Sequence, residues 1–247
     1  SDVYKRQAYT LMVFLISILL GLSMGSGTVF SLQYGAGRMK ALRRSIYVSA
    51  VLIGTVTIVL NIAALSFIHP ILKLLQIPDD IYQMMYDYLW IIFWGIGFTF
   101  IYNFYAALLR AIGNAVTPLY FLAISVVLNI GLDLFFILLL DWGIKGAAIA
   151  TIIAQGVSAL GIMGYTYAKC PELRLHRNDL HFDRHCLKEI TSFSTLTCIQ
   201  QSVMNLGILM VQGLVNSFGS MVMAAFAAAI KIDSFAYMPV QELSLIH

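Results

Sequence analysis

Asn129 and Asp133 stand four residues apart in Val126-Val-Leu-Asn-Ile-Gly-Leu-Asp-Leu-Phe-Phe136, where Asp133 is the only charge. On a helix that spacing puts both side chains on one face. A second apolar run follows, holding Gly146-Ala-Ala-Ile-Ala-Thr151. A carboxylate, an amide oxygen and a hydroxyl are hard oxygen donors that suit Na⁺. They suit a proton equally, because neighbours can hydrogen-bond either form of a carboxyl. An ionised group in hydrocarbon costs about 2.5–3.5 kcal/mol or more, so such residues usually mark a pathway. The competing reading is that Asn129, Asp133 and Thr151 only hydrogen-bond helix to helix.

Weaker candidates surround this pair. Gln200, Gln201 and Asn205 share one apolar run and are candidate cavity-lining residues, or interhelical hydrogen bonds. Tyr105 is a further cavity candidate, although Trp90, Trp94, Tyr102 and Tyr105 together read as packing and interface anchoring. Asp233 follows Lys231 closely enough for the two to neutralise one another. Gly21-x3-Gly25-x-Gly27 predicts a close helix approach. His181-x3-His185-Cys186 has a ligand-like spacing but no closed four-ligand set, so it reads as solvated linker. The only metal site expected is Na⁺ at Asn129, Asp133 and Thr151. Phosphate-loop, nucleophile-elbow, zinc-protease and C-x-x-C motifs do not occur. Any work done by this chain therefore draws on an ion gradient, with Na⁺ or H⁺ as the coupling ion and no cofactor.

The elements that must position these residues follow from composition. The chain is 60% hydrophobic and 11% charged, against roughly 45–50% and 25% in soluble domains. Lipid is the solvent that fits. Seven apolar stretches are each long enough for a core of about 30 Å. They run over Ala8–Gln33, Leu42–Ile68, Tyr82–Leu109, Thr117–Leu140, Ile144–Ala168, Ile190–Asn216 and Met221–Val240. Each must be helical, since lipid cannot satisfy an open backbone. Asp133, fifteen residues past Pro118, lies about 22 Å from one face, and Thr151, six past Lys145, about 9 Å from the other. These depths meet across two antiparallel helices.

Charge sets the orientation. Arg38, Lys40, Arg43, Arg44, Arg110, Lys169, Arg174, Arg177, Arg184 and Lys188 fall in alternate gaps, and only Lys73 and Lys145 fall in the others. The richer side is cytoplasmic. The net charge of +3 is thus spent on topology, and no nucleic-acid partner is expected. The first span then enters from outside, which implies a preceding helix. Residues 1–7 and 243–247 read as non-native scars. Residues 8–168 form a first lobe, 169–189 a cytoplasmic linker, and 190–242 the start of a second lobe. Cys170, Cys186 and Cys198 form no disulfide pattern.

Four stretches together resemble the multidrug and toxic compound extrusion (MATE) family. They are Ser31-Leu-Gln-Tyr-Gly-Ala-Gly-Arg38, Tyr102 through Pro118, Asn129-x3-Asp133 through Thr151, and Gln212 through Gly219 leading to Lys231-Ile-Asp-Ser-Phe-Ala-Tyr-Met-Pro239. The resemblance implies an all-α, polytopic bundle, helices 2–8 of a twelve-helix, two-lobe transporter. Helices 2–6 would fill 8–168, and helices 7–8 would fill 190–242. It implies an antiporter in a bacterial cytoplasmic membrane, monomeric at full length. Such an antiporter exports small organic, often cationic, compounds in exchange for Na⁺ or H⁺. In the branch resembling DinF proteins, a first-lobe cation site uses an Asp of helix 1 together with Asn129, Asp133 and Thr151 as they stand here. The helix 1 Asp is not assignable. Two departures stand out: Ser194-Thr-Leu196 replaces a usual Gly-x-Pro, and no Asp or Glu lies between Glu189 and Asp233. Both move the expected site to the first lobe. The rival readings are a lipid-linked precursor flippase of the same broad superfamily and a non-transporting scaffold or channel.

Overall fold

The computed structural model describes residues 2–74, 79–175 and 183–217. Among them every regular element is helical: α1 (Asp2–Gly35), α2 (Met39–Ser66), α3 (Ile68–Leu74), α4 (Asp79–Ala111), α5 (Val116–Leu134), α6 (Gly143–Lys169) and α7 (Arg184–Ser217). A π-helical turn, Phe135–Leu139, extends α5, and a 3₁₀ turn, Pro171–Leu173, follows α6. Six of the seven expected spans are thus helices; the seventh, 221–240, lies outside the described residues. Four described helices are long and apolar enough to cross a membrane: Met39–Ser66, Tyr86–Ala111, Val116–Leu139 and Gly143–Lys169.

Two turns at one end of the bundle reuse one device. Gly37 and Gly113 sit at φ +68 and +87, a conformation costly for any residue with a Cβ. Each closes the preceding helix with the same pair of bonds. Gly37 N–H donates to Tyr34 O and Arg38 N–H to Gln33 O; Gly113 N–H donates to Arg110 O and Asn114 N–H to Leu109 O. This satisfies carbonyls that a helix end otherwise leaves bare. The Asn114 side chain then accepts the Thr117 N–H at 3.1 Å, serving the first turn of α5.

α6 lies against both α4 and α5, and α1 against α2, α4 and α7. Phe30, Leu42, Ile53, Phe104, Leu108 and Ile162, from α1, α2, α4 and α6, form the central apolar cluster. α5 is the peripheral helix, with no buried residue but Pro118. Its Val127 is 71% exposed, as a lipid-facing residue should be. The glycine motif of α1 meets α7 directly: a Cβ at Gly25 would lie 2.4 Å from Ser194 Cα, and one at Gly21 would lie 2.7 Å from Cys198 Cα. The close approach expected of that motif is present.

Candidate functional site

α5 and α6 run antiparallel in one register. Asn129 Nδ2 donates to Thr151 Oγ1 at 3.3 Å, and two turns toward the α4–α5 turn Ser158 Oγ donates to Phe121 O at 2.9 Å. Carried one turn outward, the register sets Asp133 level with Ala147. Thr151 Oγ1 donates to Ala147 O at 2.9 Å. Small residues make this possible. Gly146 is buried, and a Cβ there would fall 2.9 Å from Phe136 Cβ. Phe136 stacks on Trp142 with centroids 5.2 Å apart, closing the outer end of the helix pair. The π-helical turn starts two residues past Asp133; such widened turns are frequent at functional sites.

The arrangement departs from a simple three-oxygen cluster. Asn129 and Thr151 are bonded to each other, whereas Asp133 Oδ1 is buried with no hydrogen-bond partner among the described residues. Thr151 has one hydroxyl proton, and Ala147 O takes it, so that hydroxyl has none left for an ionised carboxylate, which only accepts. A buried acceptor without a partner costs about 1–3 kcal/mol, more if charged. A proton or a cation shared with the Asn129 and Thr151 oxygens would remove that cost, and the donor set fits either.

The remaining sequence candidates scatter. Tyr105 is half-buried and meets Phe104 edge-on at 5.6 Å within the apolar cluster. Gln200 is exposed on α7, and Gln201 Nε2 lies 3.2 Å from Met24 Sδ on α1. The Asn205 side chain, His181, Lys231 and Asp233 lie outside the described residues. Cys186 is buried, with Ser45 Oγ 3.7 Å from its sulfur, and His185 is exposed.

Sequence reasoning did not single out a second polar group, between α4, α5 and α6. Phe98, Thr99, Tyr102, Asn103, Leu122, Ser125, Gln155 and Ser158 line a cavity of about 270 Å³. The signal was available. Ser125, Asn129 and Asp133 keep a spacing of four, and Gln155 follows Thr151 by four.

The MatE family model matches residues 7–135, slightly over half of the chain. The chain belongs to the MatE family. A curated relative, the "Probable multidrug resistance protein YpnP" of Bacillus subtilis (strain 168), is 32% identical over 231 residues, 93% of this chain and 51% of the relative. Among solved structures, a Vibrio cholerae MATE transporter, VcmN in the bent form, matches at TM-score 0.83 and 25% identity, covering 98% of this chain and 55% of that one. A MATE structure in complex with MaD5 matches at TM-score 0.87 and 20% identity, covering 99% and 56%. The second likeness speaks for the fold alone. This MatE chain spans about half the length of the relatives it matches. Family and fold agree with its apolar helices: it is a multi-pass membrane protein.

Proposed function

We propose that this MatE chain supplies the first lobe of an antiporter that exports small organic, chiefly cationic, compounds across a bacterial cytoplasmic membrane in exchange for Na⁺ or H⁺. The observation that carries this reading is the buried, unpartnered Asp133 oxygen one turn from the Asn129–Thr151 pair. Asp133 holds the single negative charge, and a bound cation or proton neutralises it. Asn129 and Thr151 hold each other in place and present oxygens to the same ion. No resident cofactor enters the cycle.

Coupling needs a ligand that prefers one of two states. An occupied, neutral Asp133 is inexpensive to bury between α5 and α6. An empty, ionised one favours a state in which water reaches it. Occupancy would thereby bias the helices of the lobe, and the exported compound would bias them the other way. Inward flow of the cation then drives outward flow of the compound. The names of the relatives speak of multidrug resistance, in line with organic export.

The test is efflux of a cationic dye from energised cells expressing the full-length protein, with Asp133→Asn compared at matched abundance. Loss of export in the variant alone supports the coupling site. Equal export by both sinks the role given to Asp133. No dye export by the native protein moves weight to a different cargo, including lipid-linked precursors.

A further inference from the structure

A groove of about 720 Å³ runs along the first half of α7. Its lining changes in order down the helix. Arg184 and Lys188 stand at the start, Thr191, Ser192 and Thr195 follow, and Leu196 closes the far end, with half-buried Leu187 beside the charges. Steps of three and four residues keep all of them on one helix face. From Arg184 to Leu196 is twelve residues, about 18 Å of rise. One leaflet of a bilayer, headgroups included, is about 20 Å thick.

The charged end lacks an anion. Arg184 and Lys188 are exposed, and neither pairs with an acidic side chain among the described residues. Asp183 spends its Oδ1 on the His185 N–H, and Glu189, a further 100° or so round the helix from Lys188, is not part of the lining. Ser45 Oγ lies 3.7 Å from Cys186 Sγ, which brings the start of α2 against the start of α7. Exposed Lys40 and Arg44 on α2 therefore add positive charge at the same end. The positive end of the α7 dipole adds to it as well.

Below the charges the groove offers unused donors. Thr191, Ser192 and Thr195 are exposed, and their hydroxyls bond to no other described residue. Thr197 on the same helix instead turns inward and donates to Phe193 O at 2.9 Å. Beyond the hydroxyls Leu196 is 64% exposed. Cation, hydroxyl and hydrocarbon thus succeed one another over the depth of one leaflet. A free inorganic anion would use only the first of these. An amphiphile with an anionic head uses all three.

We propose that this groove binds one anionic phospholipid. Arg184 and Lys188 hold the phosphate, Arg184 through its planar fork of donors. The Thr191 and Ser192 hydroxyls, one turn deeper, donate to the ester oxygens, and an acyl chain lies over Leu196. The charge bias makes this the cytoplasmic leaflet, whose negative surface potential draws basic residues to it. The site stands apart from Asp133 and does not depend on its coupling role.

The test uses purified full-length protein and native mass spectrometry, with phosphatidylglycerol and phosphatidylcholine of equal chain length as probes. The expected result is retention of phosphatidylglycerol at least tenfold tighter than phosphatidylcholine, because each basic residue near an anionic surface contributes about fivefold. Arg184→Gln with Lys188→Gln should erase the preference. Arg184→Lys with Lys188→Arg keeps both charges and should keep it, so a loss in the first variant is not a loss of fold. Arg38→Gln with Lys169→Gln removes equal charge from the same end, off the groove, and should also leave it in place. Glycerol 3-phosphate has the headgroup chemistry without chains and should not displace the lipid at equal concentration. Equal retention of the two lipids, or equal loss in both glutamine variants, overturns the site. Displacement by glycerol 3-phosphate makes it a free-anion site and overturns the lipid. Asp133→Asn should leave retention unchanged, so failure of the coupling role and failure of this site read separately.

Discussion

Asp133 costs free energy where it sits, and a stability measurement can expose that cost. Its buried oxygen has no partner among the described residues. Asn is nearly isosteric and cannot ionise, so Asp133→Asn removes the penalty together with the ion. We predict at least a tenfold fall in coupled export with no fall in thermal midpoint or abundance in membranes. A purely structural aspartate would give the opposite, intact export and a lowered midpoint. Thr151→Val is milder. It deletes a hydroxyl that Asn129 donates to, and interhelical hydrogen bonds in membranes average about 0.6 kcal/mol. The expected outcome is a rise of a few-fold in the cation concentration, or acidity, for half-maximal export, read from dose curves. That Asn129 and Thr151 meet was legible from spacing and depth, because four residues make about one turn. Their bonding was not. It depends on where one hydroxyl proton goes, and the Ala147 carbonyl that takes it carries no side-chain signature.

Among the described residues six expected spans were legible as helices, with starts late by six residues at α1 and α7, because lipid demands about twenty apolar residues and an internally bonded backbone. Short elements were not. The seven residues of α3 and the five of the π-helical turn fall below any span-length signal. The start of α7 is instructive. Charge and histidine mark residues 169–189 as linker, yet α7 begins at Arg184, because Asp183 Oδ1 accepts the His185 N–H at 2.8 Å and caps it. Glycine spacing read correctly at α1, where it brings α1 onto α7. Overpacking a close contact costs about 1–3 kcal/mol. A Cβ at Gly25 would meet Ser194 backbone atoms at 2.4 and 2.6 Å, which cannot swing aside. We expect Gly25→Ala to lower the thermal midpoint of the purified full-length protein by several degrees. Gly164→Ala on α6, where a Cβ meets nothing within 4 Å, serves as the control and should not lower it. Equal midpoints would mean that the α1–α7 contact is loose.

At the scale of the molecule, orientation rests on charge, and the structure sharpens the bias. Lys145, one of only two basic residues in the outer gaps, is 2.7 Å from Asp87 Oδ2 and is thereby neutralised. On the other face Arg174 Nε donates to Tyr167 O at 2.9 Å and its guanidinium lies 4.8 Å over the Tyr167 ring, while Arg43 reaches Glu172 O at 3.4 Å. Those basic residues are fastened to helix ends at one face. Transfer of that face through the membrane would strip all its charges of water, at a cost of a few kcal/mol each. Opposite ends of the bundle should therefore differ in access to a membrane-impermeant maleimide added to intact cells. Ile144→Cys, beside Lys145 and 44% exposed, should label in whole cells. Lys40→Cys, exposed at the start of α2, should label only after the membrane is opened. Native thiols will contribute little background at Cys170 and Cys186. Both are buried, and burial pushes both thiols above their ordinary range, Glu172 adding to the effect at Cys170. At neutral pH they remain protonated, and the thiolate is the reactive form. Labelling of Lys40→Cys in intact cells would invert the bundle and place the Arg43 and Arg174 contacts on the outer face.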